Sequence, residues 1–131
     1  MKIEAKAIPL FKDLLQYDLG FHYHDFHNDY DCIGIKNKEL NLDIRLKEIS
    51  TGIIISLKFH NVDIVYSDIS DEIISDTLDS LYRGRYQQNL QLIEFYEQRG
   101  FFYMEFDNGS KVEFWGESIS LENISDISAS F

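Results

Sequence analysis

Three of the four histidines in this chain fall within six residues, in His22-Tyr23-His24-Asp25-Phe26-His27, with Asp29 and Asp31 just beyond. Imidazole and carboxylate together bind zinc, nickel or iron. The cluster therefore offers His22, His24, Asp25 and His27 as ligands for a metal-dependent enzyme or a metal sensor. On an extended segment His22 and His24 point one way and Asp25 and His27 the other, so the set converges only through a turn. A solvated polar loop between a helix and a strand competes with that reading.

The second feature is a row of acids. Asp68, Glu72, Asp76 and Asp79 are spaced by four, four and three. On a helix they fall within an arc of about 80°, opposite an apolar face of Ile69, Ile73, Ile74, Leu78, Leu81 and Tyr82. No lysine relieves this stripe. It reads either as a solvated face or as a docking surface for a basic partner, extended by Glu94 and Glu97. The third feature is aromatic: Phe101, Phe102, Tyr103, Phe106, Phe114 and Trp115 lie close together in sequence. Neighbours such as Phe101 and Phe102 point to opposite faces of a strand, so both faces of this sheet carry large apolar groups. One of them packs on another layer or binds something. Tyr103 and Trp115 are candidates for a small-ligand platform.

Other chemistry is sparse. Read as a string, the histidine cluster resembles the H-x-H-x-D-H motif of the metallo-β-lactamase superfamily. Asp25 stands one place too early, only His60 remains for the later ligands, and the chain is too short for that αββα fold, so the resemblance fails. There is no P-loop, dinucleotide-binding glycine pattern, nucleophile elbow or HExxH. Cys32 is the only cysteine, which rules out an internal disulfide and reads as a small apolar strand residue.

Charge narrows the partners. The 131 residues carry 12 basic and 23 acidic side chains, a net charge of −11. Residues 1–67 hold eight basic and ten acidic residues (−2), and residues 68–131 hold four and thirteen (−9). Phosphate backbones and anionic membranes are repelled by such a surface, and a basic protein is attracted. The amino terminus lacks an uninterrupted apolar stretch of the secretory kind, which points to a cytoplasmic protein.

The elements that must position these residues follow from hydrophobic period. Pro9 opens a short N-terminal helix in which Leu10, Phe11, Leu14 and Leu15 recur at helical spacing, ending near Gly20. Tyr30 to Lys36 is a strand, with a tight turn at Asn37-Lys38. Leu40, Leu42, Ile44 and Leu46 alternate with polar residues, and Ile53, Ile55, Leu57 and Phe59 repeat the pattern. The i, i+4 spacing over 69–83 predicts a second helix. Residues 90–97 and 101–106 read as strands, and Asp107-Asn108-Gly109 is a hairpin signal leading into 110–115. Ile119, Leu121 and Ile124 extend the sheet, and the tail from Ser125 is loose. The expectation is one α+β domain over 1–131: a mainly antiparallel sheet, as a sandwich or partial barrel, with one helix before it and one interrupting it.

The strings Leu57-Lys58-Phe59-His60-Asn61-Val62 and Phe102-Tyr103-Met104-Glu105-Phe106, with Gly109, give the chain a resemblance to small acidic bacterial immunity proteins of polymorphic toxin systems. The resemblance covers about half the chain. It implies a non-catalytic protein without a cofactor that blocks one cognate basic toxin domain. Asp68, Glu72, Asp76, Asp79, Glu94 and Glu97 would face lysines and arginines of that partner, and the oligomeric state is left open.

Overall fold

A computed structural model of the chain describes residues 2–16, 24–69 and 76–124. Twelve strands run in chain order: β1 (Lys2–Glu4), β2 (Tyr30–Lys38), β3 (Asn41–Glu48), β4 (Ile54–His60), β5 (Asp63–Ser67), β6 (Leu78–Gly84), β7 (Tyr86–Gln88), β8 (Gln91–Ile93), β9 (Phe95–Tyr96), β10 (Arg99–Phe106), β11 (Lys111–Gly116) and β12 (Ser118–Asn123). The first sheet has the order β1-β12-β4-β3-β2 and the second β5-β11-β10-β6, with β9 added to β10. β7 and β8 form a separate two-stranded hairpin. Among the described residues every strand pairing is antiparallel, and no sheet closes into a barrel. Among the described residues no helix is long and apolar enough to cross a membrane.

Both sheets contribute to one core. Leu42, Ile44 and Leu46 of β3 and Ile55, Leu57 and Phe59 of β4 turn inward from the first sheet. Phe102, Met104, Phe106, Val112 and Phe114 turn inward from the second. The two meet where the Phe59 ring sits 5.2 Å from Phe102 and 4.8 Å from Phe114, both edge to face. That geometry adds about 0.5–1.5 kcal/mol per pair to the burial itself. Cys32 is fully buried in β2, and desolvation pushes its thiol up to about 12, so it is a packing residue rather than a nucleophile.

Neither expected α-helix forms among the described residues. The amino-terminal helical piece is a single 3-10 turn at Ala5–Ala7. Residues 11–14 instead lie along the edge of β6: the Phe11 amide donates to the Arg83 carbonyl at 2.7 Å and the Leu14 amide to the Leu81 carbonyl at 2.8 Å. Phe11 has φ 60, outside the right-handed helical region. Leu14 and Leu15 are buried as a strap over the sheet edge, which is why their spacing looked amphipathic. Residues 17–20 of that expected helix lie outside the described residues.

Residues 78–84 of the second expected helix form strand β6; residues 70–75 lie outside the described residues. The reason is a β-bulge. Glu105 pairs with Ser80 and Phe106 pairs with Leu78, leaving Asp79 as the extra residue. A bulge inserts one residue into a two-residue period. Leu78 and Leu81 therefore both face inward at a spacing of three, which reads as helix in the sequence. Corrected for this, the fold is mainly antiparallel β, with no α-helix among the described residues.

Candidate functional site

The outer faces of the two sheets are built differently. On the first sheet, Asp43 accepts from Arg45 Nη2 at 3.1 Å and from Ser56 Oγ at 2.6 Å, and it pairs across the strands with Lys36 and Lys58. This face is charged and wet. On the second sheet the outward positions include Tyr66, Tyr82, Phe101, Tyr103 and Trp115, with Glu105, Lys111 and Glu113 among them toward one end.

A third layer covers one end of that aromatic face. Tyr86 of the β7–β8 hairpin lies 5.3 Å from Phe101 and 5.9 Å from Trp115, and Tyr96 of β9 lies 5.9 Å from Trp115. Phe101 and Trp115 are thereby buried, yet they stand outside the main core. The hairpin is tied at its base by Arg83, a buried cation. Its Nε donates to the Ile8 carbonyl at 2.9 Å, its Nη2 to Glu94 Oε1 at 3.1 Å, and its guanidinium lies 4.5 Å from the Phe95 ring centre. Gly100 makes room for this clamp: a Cβ there would stand 2.9 Å from Ala5 Cβ and 3.1 Å from Arg83 Nη1.

The layer is not itself fully covered. Leu92, Phe95 and Tyr96 are 58%, 45% and 51% exposed, and Tyr66 and Val65 beside them are also exposed. Val65, Tyr86, Ile93, Tyr96 and Trp115 line a shallow groove of about 230 Å³. Leu90, at the hairpin tip, is 94% exposed and held at φ 64, where leucine is strained. It contributes neither to the core nor to an easy turn. Further along the face, Lys111 Nζ lies over the Tyr66 ring, 5.4 Å from its centre, and the Tyr103 hydroxyl donates to Glu105. That bond and burial hold the Tyr103 hydroxyl well above the usual phenol range.

The residues singled out from the sequence are distributed as follows. Glu94 and Glu97 bracket Phe95 and Tyr96, each paired with an arginine behind it: Glu94 with Arg83 and Glu97 with Arg99. Among the described members of the acidic row, Asp76 lies in an isolated bridge to Cys32 and Asp79 in β6, so these two are not on a helix. Asp68 accepts from the Lys111 amide at 2.7 Å, and Asp76 accepts from the Thr77 and Asn108 amides at 2.8 and 3.2 Å. Both work as loop caps. Glu72 and His22 lie outside the described residues.

The other members of the histidine cluster part company. His24 is buried, with Nδ1 2.9 Å from the Tyr30 hydroxyl and its ring stacked on Phe26. Asp25 accepts from the His27 and Asn28 amides and from Asn28 Nδ2, and the Asn28 side chain leads in lowering its pKa. His27 turns toward β6. Tyr103 and Trp115, the expected ligand platform, are taken up by Glu105 and by the covering layer. The sequence called for a further layer, and what it did not show is that Tyr86 and Tyr96 supply it. The signal for it was present in the paired aromatics Phe101-Phe102 and Phe114-Trp115, which demand a cover on both faces.

No protein-family model matches the chain, and neither does any curated protein or solved structure.

Proposed function

We propose that this chain is a non-catalytic protein-binding domain whose docking surface is the outer layer of the second sheet. The observation that carries the reading is the segment Glu94-Phe95-Tyr96-Glu97: two half-exposed rings framed by two carboxylates, with exposed Leu92 just before it and exposed Val65 across the groove from Tyr96. Large aromatic anchors surrounded by a polar rim are the recurrent anatomy of protein interfaces. The net charge of −9 over residues 68–131 adds a long-range preference for a basic partner and a salt-sensitive association rate. A basic toxin domain has that chemistry, so the immunity-type role fits the same surface. In this reading Glu94 and Glu97 remain partner-facing, and Asp68 and Asp76 drop out because their carboxylates cap loops.

Capture from source-cell lysate tests this, with the wild-type protein and a Phe95→Ser, Tyr96→Ser double variant as baits. A basic protein retained by the wild type at low salt, released at high salt and absent from the variant is the expected result. Equal retention by both baits, or no retention by the wild type, overturns the assignment.

A further inference from the structure

Away from the aromatic layer, three side chains from distant parts of the chain meet at the bulged end of β6. One ring nitrogen of His27 and a carboxylate oxygen from each of Asp79 and Asp107 all lie within 4.8 Å of one another. We propose that His27, Asp79 and Asp107 together bind one divalent transition-metal ion of the zinc class, which clasps the 25–29 loop to the second sheet.

Each donor is positioned by a separate backbone device. His27 sits in a turn fixed by the Asp25 carboxylate, which accepts from the His27 and Asn28 amides at 3.2 and 3.0 Å. Its Nδ1 lies 3.0 Å from the Leu78 carbonyl. A carbonyl only accepts, so Nδ1 carries the proton and the lone pair of the neutral ring is on Nε2. Metal-binding histidines are oriented by this kind of second hydrogen bond. Asp79 is the extra residue of the β6 bulge, a feature that re-aims a side chain out of the regular alternation. Asp107 opens the β10–β11 turn, and its amide donates to the Thr77 carbonyl at 2.9 Å, holding the turn against β6.

The donor set fits the ion class. Ligands at about 2.0–2.2 Å from a shared tetrahedral ion stand roughly 3.4 Å apart, so small side-chain rotations close the observed spacing. One imidazole and two carboxylates suit zinc or its neighbours better than magnesium, and three protein ligands leave room for water. Electrostatics favour a cation as well. Asp68 and Asp76 spend their oxygens on amides, whereas the bond recorded for the Asp79 carboxylate is a 3.5 Å contact from Ser80 Oγ. Among the described residues neither Asp79 nor Asp107 enters an ion pair.

The test uses the full chain, stripped with a chelator and titrated with zinc chloride by calorimetry, with thermal unfolding in parallel. One ion per chain, bound in the micromolar range and raising Tm by a few degrees, is expected. Asp79→Asn and Asp107→Asn should each weaken binding by at least about tenfold, as loss of a ligand exceeds loss of its orienting partner. Both substitutions are at exposed positions, and an unchanged metal-free Tm will show that the fold is intact. His22→Gln should leave the affinity as it is. Absence of binding up to about 1 mM zinc, full affinity in the Asp79→Asn, Asp107→Asn double variant, or loss of binding in His22→Gln overturns the proposal.

Discussion

The two sheets bury equivalent inner faces and present opposite outer ones. On the first, Asp43, Arg45 and Lys58 are partly exposed around a buried Ser56, and β3 alternates cleanly between apolar and polar. On the second, Phe101 and Phe102 are both buried, at 4% and 0% exposure, because Tyr86 roofs the outer Phe101 ring and, with Tyr96, the neighbouring Trp115. A sheet with one wet face needs nothing further. A sheet with two apolar faces needs a third layer, and a layer only one hairpin thick cannot bury both of its own sides. The apolar surface left over at Leu92, Phe95 and Tyr96 is thus a consequence of the architecture, placed where a partner can complete it.

This contrast predicts a hierarchy of stability. Phe59 lies between the sheets and is fully buried, so Phe59→Ala should cost about 3–5 kcal/mol. Denaturant unfolding measures it. Tyr86 belongs to the roof, and a two-stranded hairpin has little stability of its own. Tyr86→Ala should therefore cost less, about 1–2 kcal/mol, within the general range for partly buried contacts. It should also shift the emission of Trp115, the single tryptophan, to the red as the indole meets water. Equal costs at the two positions would mean that the roof and the core unfold as one body and would remove the distinction.

The smallest effect belongs to the first sheet. His60 Nε2 lies 2.7 Å from Ser120 Oγ on the outer side, and burial, then Lys2 and Lys58, lower its pKa below the usual histidine value. The unfolded chain then binds the proton more readily. Stability contributed by neutral His60 is present above the ordinary histidine pKa of about 6.5 and is lost as pH falls through that window. Thermal unfolding between about pH 7 and 5.5 should show the decline, and His60→Gln should flatten it. An unaltered slope in that variant would assign the decline to another group.

How much of this was legible in the sequence depended on whether the period of two survived. Strands β3 and β4 keep it, and Leu42, Ile44, Leu46, Ile55, Leu57 and Phe59 were read correctly as inward, whereas Leu40 and Ile53, read into the same alternations, are exposed. The Asp107-Asn108-Gly109 turn was also read, with Gly109 at φ 89 as such a turn requires. The turn expected at Asn37-Lys38 falls at Glu39-Leu40, because both of those residues adopt positive φ without a glycine to announce it. The bulge at Asp79 defeated the reading of β6 by mimicking a helical spacing. Leu14 and Leu15 did the same as a buried strap whose amides are satisfied by β6, a tertiary fact with no local signature. The acidic row rested on a helical reading, and its described members Asp68, Asp76 and Asp79 lie in a loop, a bridge and a strand. His27 was singled out beside His22, His24 and Asp25, whereas the carboxylates grouped with its ring are Asp79 and Asp107, 52 and 80 positions away and brought near by the tertiary packing of its turn on β6. Glu94 and Glu97 were named for their charge, while the half-exposed rings between them, Phe95 and Tyr96, carry the proposed docking surface.

The most direct test of the docking surface is backbone hydrogen exchange of the chain alone and with its captured partner. The predicted result is slowed exchange over residues 86–98 and 63–67, with the first sheet unchanged. Protection over 36–47 and 54–60 instead would place the partner on the charged face and contradict the account.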